Sequence, residues 1–159
     1  MNKVFLITGG NIGDRKKNLK LAAKSIEKNI GHIVKSSSIY ETEAWGNTDQ
    51  ASFYNQVHFV ETEWAAKEIM NKILQIEEQM GRIRTIKNAA RIIDIDILFF
   101  NKEIINNEIV TIPHKEINNR RFVLMPLQEI APDFIHPVFK MNISKLLSIC
   151  KDPLKVNQL

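Results

Sequence analysis

The chain has 159 residues, with 22 Lys plus Arg against 18 Asp plus Glu for a net charge of +4, 44% hydrophobic residues and a single cysteine. A chain of this length buries roughly 68–70% of the surface it exposes when unfolded, so one domain over residues 1–159 needs no disulfide or structural metal to fold. A lone Cys150 excludes an internal disulfide and Cys-based zinc sites, and no apolar run approaches the roughly 18 residues of a membrane span, so the expectation is a soluble, cytoplasmic protein with no membrane partner.

Lys3 to Thr8 is a β-branched and aromatic run that reads as a strand stopping at Gly9-Gly10-Asn11-Ile12-Gly13, a glycine-permitted turn. Asp14 is placed to cap a helix in which Leu19, Ala22, Ala23, Ile26 and Ile30 recur at helical spacing, with Gly31 as its C′ stop. His32 to Tyr40 reads as a strand interrupted by Ser36-Ser37-Ser38, and Glu43 to Ser52 as a loop long enough to carry function. Phe53 to Glu61 alternates as a strand, and Ala65 to Met80 predicts a helix with Ile69, Ile73, Leu74, Ile76 and Met80 on one face, ending at Gly81. After a basic, irregular stretch from Arg82 to Arg91, Ile92 to Phe100 is the clearest strand. Asn101-Lys102 then reads as a hairpin turn into Glu103-Ile104-Ile105. A short strand ends at Pro113. Beyond it Pro126, Pro132 and Pro137 cut the remainder into short helices and loops, the last amphipathic one marked by Ile143, Leu146, Leu147 and Cys150. The order β-α-β-β-α-β predicts an α+β fold of the split-βαβ, ferredoxin-like kind, a mainly antiparallel sheet with helices packed on it.

In the strand Ile93 to Phe100, a period of two puts Ile93, Ile95, Ile97 and Phe99 on one face and Asp94, Asp96, Leu98 and Phe100 on the other. The two carboxylates are then about 6.6 Å apart along one face, close enough to converge on a hard cation. Mg²⁺ takes one or two carboxylates and fills its octahedron with water and substrate phosphates. Arg82, Arg84, Lys87 and Arg91 lead into this strand, and guanidinium forks suit phosphate oxygens. Carboxylates for metal beside arginines for phosphate make the inventory of a phosphoryl-transfer site. Gly9 to Asp14 satisfies neither G-x-x-x-x-G-K-[ST] nor G-x-G-x-x-G, so a nucleotide would be held by side chains and metal. His114, in a loop after Pro113, could donate to a phosphate or base, and Trp45, Phe53 and Phe122 could stack on a flat heterocycle.

The stretch Lys87-Asn88-Ala89-Ala90-Arg91-Ile92-Ile93-Asp94-Ile95-Asp96-Ile97-Leu98 resembles the signature of the 6-hydroxymethyl-7,8-dihydropterin pyrophosphokinases, in which a basic loop runs into x-x-D-x-D. The likeness extends through Ser38 to Thr42, Phe53-Tyr54-Asn55, Glu77 with Gly81-Arg82, Thr111 to His114 and Asn119 to Phe122. What the resemblance implies is transfer of the terminal diphosphate of ATP to the pterin hydroxymethyl oxygen with release of AMP, in folate biosynthesis. Asp94 and Asp96 would hold two Mg²⁺ ions. Arg82 and Arg91 would act on the phosphates as catalytic residues. Glu77, Arg82, Arg91, Ile97, Thr111, His114 and Arg120 would line the ATP side, while Thr42, Trp45, Phe53, Asn55 and Phe122 would form the pterin pocket. Its partners would be these small molecules and no nucleic acid, and its expected state is a monomer. The chain departs from the family pattern at Leu74, where a Gln is common, at Asn88-Ala89-Ala90, where Trp-Gly-Pro is usual, and at Ile109 and Lys115. From the residues alone, two other functions compete. A metal-dependent nucleotidyl transferase or nuclease would release pyrophosphate or cleave a strand. A non-enzymatic RNA-binding module would need an RNP1-like run, which the strands lack.

Overall fold

The structure, a computed structural model, describes residues 1–44, 49–82 and 90–159. In chain order the elements are β1 (Asn2–Gly10), α1 (Arg15–Asn29), β2 (His32–Ser36), β3 (Tyr40–Thr42), β4 (Phe53–Thr62), α2 (Ala66–Gln79), β5 (Asp94–Phe100), β6 (Ile105–Asn106), β7 (Thr111–Ile112), α3 (Arg121–Ile130), α4 (Ile143–Ile149) and β8 (Val156–Gln158). The main sheet runs β5-β1-β4-β3-β8, with β2 also on β4, and its neighbours pair antiparallel. That is the split-βαβ order expected from the sequence.

Each face of the sheet carries its own core. Val4, Leu6, Val60, Ile95 and Ile97 pack under α1 and α2 with Leu19, Ile26, Ile69 and Ile73. Phe5, Ile7, Val57, Leu98 and Phe99 face α3 and α4 with Leu124, Leu127 and Leu146. Asp14 caps α1 as expected, its carboxylate accepting from the Lys17 N–H at 3.1 Å. Among the described residues no helix is long and apolar enough to cross a membrane.

Several elements differ from expectation for definable reasons. The register of β1 on β5 shifts between Phe5 and Leu6, which face Phe99 and Ile97, so Leu98 is the extra residue of a bulge. The alternation therefore breaks: Phe99 joins Leu98 on the α3/α4 side, and Phe100 packs with the isoleucines under α1 and α2. Asn101 does turn the chain, at φ 50°, but β6 pairs with β7 and not back onto β5, so the expected hairpin is replaced by a separate two-stranded sheet. Leu74 is 41% exposed because it lies off the stripe through Ile69, Ile73 and Ile76, whose buried flank is taken by Glu77. Pro126 sits inside α3 and does not end it, the helix being held by burial of Val123, Leu124, Leu127 and Ile130. Gly31 follows α1 without a positive φ; a Cβ there would meet the Glu61 carbonyl oxygen at 2.2 Å, so close packing on β4 is what requires it. β8 completes the β3 edge and was not anticipated.

His58 on β4 is 1% exposed, with Nδ1 2.7 Å from the Ser36 hydroxyl and Nε2 without a hydrogen-bond partner among the described residues. Burial pushes its pKa down to about 4. Between pH 6.5 and about 4 the unfolded chain therefore binds the extra proton and the folded chain does not, so stability falls as pH falls through that window. The full loss is on the order of 3 kcal/mol. Urea denaturation at pH 7 and pH 4.5 should show it, and His58→Gln should flatten this part of the pH dependence; an unchanged slope would refute the assignment.

Candidate active site

Residues paired across a sheet point to the same face, and the pairs Gly9–Asn55 and Gly9–Asp94 lay a row Asp94, Gly9, Asn55 across β5, β1 and β4 on the α3/α4 side. Thr42 on β3 pairs with Phe53 two residues away on β4. Over this floor lies an open cleft lined by Gly9, Thr42, Glu43, Phe53, Asn55, Arg91, Asp94, Arg120 and Phe122. Two aromatic rings wall it, and each carries a guanidinium: Arg91 lies 5.1 Å from the Phe53 ring centre and Arg120 5.7 Å from that of Phe122. The Thr42 hydroxyl is buried at this cleft without a hydrogen-bond partner among the described residues.

Gly9 gives the floor its depth. A Cβ there would lie 2.0 Å from Asn55 Oδ1 and 3.2 Å from the Tyr54 carbonyl oxygen. Gly9→Ala should therefore push the Asn55 amide out of place, and the affinity for a planar ligand read by that amide should fall about tenfold, roughly one good hydrogen bond, as measured by fluorescence titration. Wild-type affinity in that variant would show that Asn55 does not read the ligand.

Asp94 of the acidic pair lies in the wall of this cleft. Asp94 accepts from Arg82 Nη1 at 2.7 Å through Oδ1 and from Arg91 Nη1 at 3.0 Å through Oδ2. The same Arg82 nitrogen donates to Glu77 Oε2 at 2.7 Å, and that oxygen also accepts the Ile95 N–H at 2.8 Å. Glu77, 2% exposed, thus ties α2 to β5 and holds Arg82 behind Asp94. Burial first, then the charges of Asp94 and Glu77, push the Asp96 carboxyl up to about 7, with Arg82 and Arg120 pulling the other way. Among the described residues no group of three or more His, Cys, Asp or Glu is placed to hold a metal. The donor set is a pair of carboxylates on one strand face, which fits a hard divalent cation that completes its shell with water and substrate oxygens.

Asp96 faces a second cleft, lined by Met70, Asp96, Ile97, Ile109, Val110, Thr111, His114 and Lys115. The His114 N–H donates to the Leu98 carbonyl at 3.0 Å, at the bulge, and His114 Nδ1 accepts the Glu116 N–H at 3.1 Å. Burial, with Arg120 adding to it, lowers the His114 pKa, so the ring is neutral and Nε2 carries its proton as a donor.

Thr42, Phe53, Asn55 and Phe122 thus come together in one cleft with Arg91, Arg120 and Asp94, while Ile97, Thr111 and His114 gather in the other with Asp96. Glu77 and Arg82 stand in the wall of neither and lie behind the acidic pair. Trp45, Arg84 and Lys87 lie outside the described residues. Ile109 and Lys115, two of the places where the chain departs from the family pattern, both line the second cleft. Sequence reading missed Asn11. This residue, 5% exposed, donates to Gln50 Oε1 and the Ala51 carbonyl at 3.0 Å each and accepts the Arg91 N–H at 2.9 Å. Its own N–H and that of Ile12 donate to the Arg91 carbonyl, so the Gly9–Gly13 turn anchors Arg91.

A family model described as 7,8-dihydro-6-hydroxymethylpterin-pyrophosphokinase matches residues 5–132. The 2-amino-4-hydroxy-6-hydroxymethyldihydropteridine pyrophosphokinase of Aquifex aeolicus is 36% identical over 145 residues, 91% of this chain and 90% of that protein. The enzyme of the same name from Haemophilus influenzae is 36% identical over 138 residues, 86% of each. The folic acid synthesis protein FOL1 of Dictyostelium discoideum is 39% identical over 145 residues, and there the match spans only 22% of the longer protein. The fold is shared with Plasmodium falciparum HPPK-DHPS crystallised with pteroate, at a TM-score of 0.74 and 19% identity, over 92% of this chain and 44% of that one. With four-fifths of its length under one family model and relatives 36% identical over most of both chains, the chain belongs to the 7,8-dihydro-6-hydroxymethylpterin-pyrophosphokinase family.

Proposed function

We propose that this chain transfers the terminal diphosphate of ATP to the hydroxymethyl oxygen of 6-hydroxymethyl-7,8-dihydropterin, giving the pterin diphosphate and AMP, a step of folate synthesis. The observation that carries this reading is the acidic pair of β5, with Asp94 in an aromatic-walled cleft and Asp96 in its neighbour. A flat heterocycle would stack on Phe53 and Phe122 with its amide edge at Asn55, and the nucleotide would occupy the second cleft, where neutral His114 offers a donor. Asp94 and Asp96 would hold Mg²⁺, which supplies charge neutralisation and alignment of the phosphates when bound.

Arg91 and Arg120 lie on the rings of the pterin cleft and bring positive charge to the edge where the diphosphate must cross. Their guanidinium groups can stabilise charge on the phosphate oxygens as it shifts from donor to acceptor. The reading includes a monomer acting on small molecules, at work in the cytoplasm, where ATP is supplied. The deciding assay mixes the protein with ATP, Mg²⁺ and the hydroxymethyl-dihydropterin and separates the nucleotides. AMP formed only when pterin is present supports the reading. ADP, or pyrophosphate release without pterin, overturns it in favour of a simple kinase or a nucleotidyl transferase.

A further inference from the structure

The N-terminus of α3 carries two walls of the pterin cleft, Arg120 as its N-cap and Phe122 in its first turn. A helix leaves its first N–H groups without intrahelical acceptors, and a Ser, Thr, Asp or Asn at the N-cap normally supplies one. Here the N-cap side chain makes no capping bond, since arginine has no acceptor to offer. The missing acceptor comes from the far end of the chain. Asp152, 7% exposed, accepts the Arg121 N–H at 3.0 Å through Oδ2 and the Leu154 N–H at 3.0 Å through Oδ1. The Arg121 side chain returns the contact, with Nη2 donating to the Cys150 carbonyl at 3.1 Å and to the Asp152 carbonyl at 3.2 Å.

We propose that Asp152 is a positioning residue for the pterin site: it caps α3 from the C-terminal segment and fixes the direction in which Phe122 and Arg120 enter the cleft. It lies beyond residues 5–132, the stretch under the family model, so this part of the site's support falls outside the matched region. Its carboxylate also sets a negative charge against the positive end of the α3 dipole.

This inference rests on the proposed pterin site and is tested against wild type measured side by side. Asp152→Ala should raise the dissociation constant for the pterin about tenfold while leaving that for a non-hydrolysable ATP analogue within twofold. Asp152→Asn, which keeps an acceptor for the Arg121 N–H, should recover most of the loss. Arg121→Met, which removes the return contacts, should reproduce the Ala effect and add little to it in the double variant. A purely structural role would lower the melting temperature and the active fraction and leave pterin affinity per active site unchanged; that result in Asp152→Ala, or in Arg121→Met if the first variant fails to fold, overturns the proposal. Absence of pterin binding by the wild-type protein would instead overturn the proposed function and this inference with it.

Discussion

Asp96→Ala and Asp94→Ala are each expected to lower kcat by about a thousandfold, the size of effect seen when a group that stabilises transition-state charge is removed from a closed site. The two variants should differ in stability, which separates loss of chemistry from loss of fold. Asp96 is a carboxylate held by burial near two others, Asp94 and Glu77, so without bound metal it is a burden on the folded state. Asp96→Asn, measured in EDTA, should therefore melt no lower than wild type while remaining inactive. Asp94 is different: it accepts from both Arg82 and Arg91, and Asp94→Ala leaves those donors short of an acceptor. A cost of about 1–3 kcal/mol follows for the second variant. In both, β5 stays anchored by its main-chain ladder to β1 and by the isoleucines beneath it, so far-UV circular dichroism should not change. Near-normal turnover in either variant would remove the acidic pair from the mechanism. Equal stability losses in both would mean that the charge balance around them is not as described.

The acidic pair was legible because it depends on one local rule. A period of two along Ile93 to Ile97 leaves Asp94 and Asp96 on one side whatever the strand pairs with, and the structure keeps them there. Three residues later the same rule fails, since the bulge at Leu98 is set by β1, whose Phe5 and Leu6 face Phe99 and Ile97, and nothing in Leu98-Phe99-Phe100 announces it. Gly9 could be read as a glycine before a turn. Its reason, a Cβ that would strike Asn55, needs the partner strand. β8 was invisible because Val156-Asn157-Gln158 has no alternation of its own and becomes a strand only where β3 offers an open edge. Asn11 and Asp152 were missed for a shared reason: each is a short polar residue whose acceptors and donors serve chain segments far away in sequence, and such satisfaction of buried groups has no local signature. Glu77 was expected on the nucleotide side. Its place at the edge of the buried face of α2 was implicit in the spacing from Ile69 and Ile73, but a charge on such a face becomes intelligible only once Arg82 is seen to meet it.

Arg82→Met is expected to be the most destabilising single substitution around the site. One Arg82 nitrogen bridges Glu77 and Asp94, each at 2.7 Å, and the side chains of Arg82 and Glu77 are only 14% and 3% exposed. Removing the cation leaves the Glu77 charge buried beside Asp94 and Asp96, with the Ile95 N–H still donating to it. Breaking a buried ion pair from one side costs about 3–5 kcal/mol, whereas removing both partners costs less, because no uncompensated charge remains. The sign of the coupling is therefore the test. Arg82→Met, Glu77→Gln and the double variant should be compared by urea denaturation, and the double variant should be more stable than the two single losses added together by at least about 1 kcal/mol. Arg82→Lys supplies the control for geometry: it keeps the charge but not the planar fork, so it should fall between wild type and Arg82→Met in stability and stay well below wild type in kcat. Additive losses would mean that Glu77 and Arg82 act independently. The ion pair would then no longer explain how α2 helps hold Asp94 in the wall of the proposed pterin cleft.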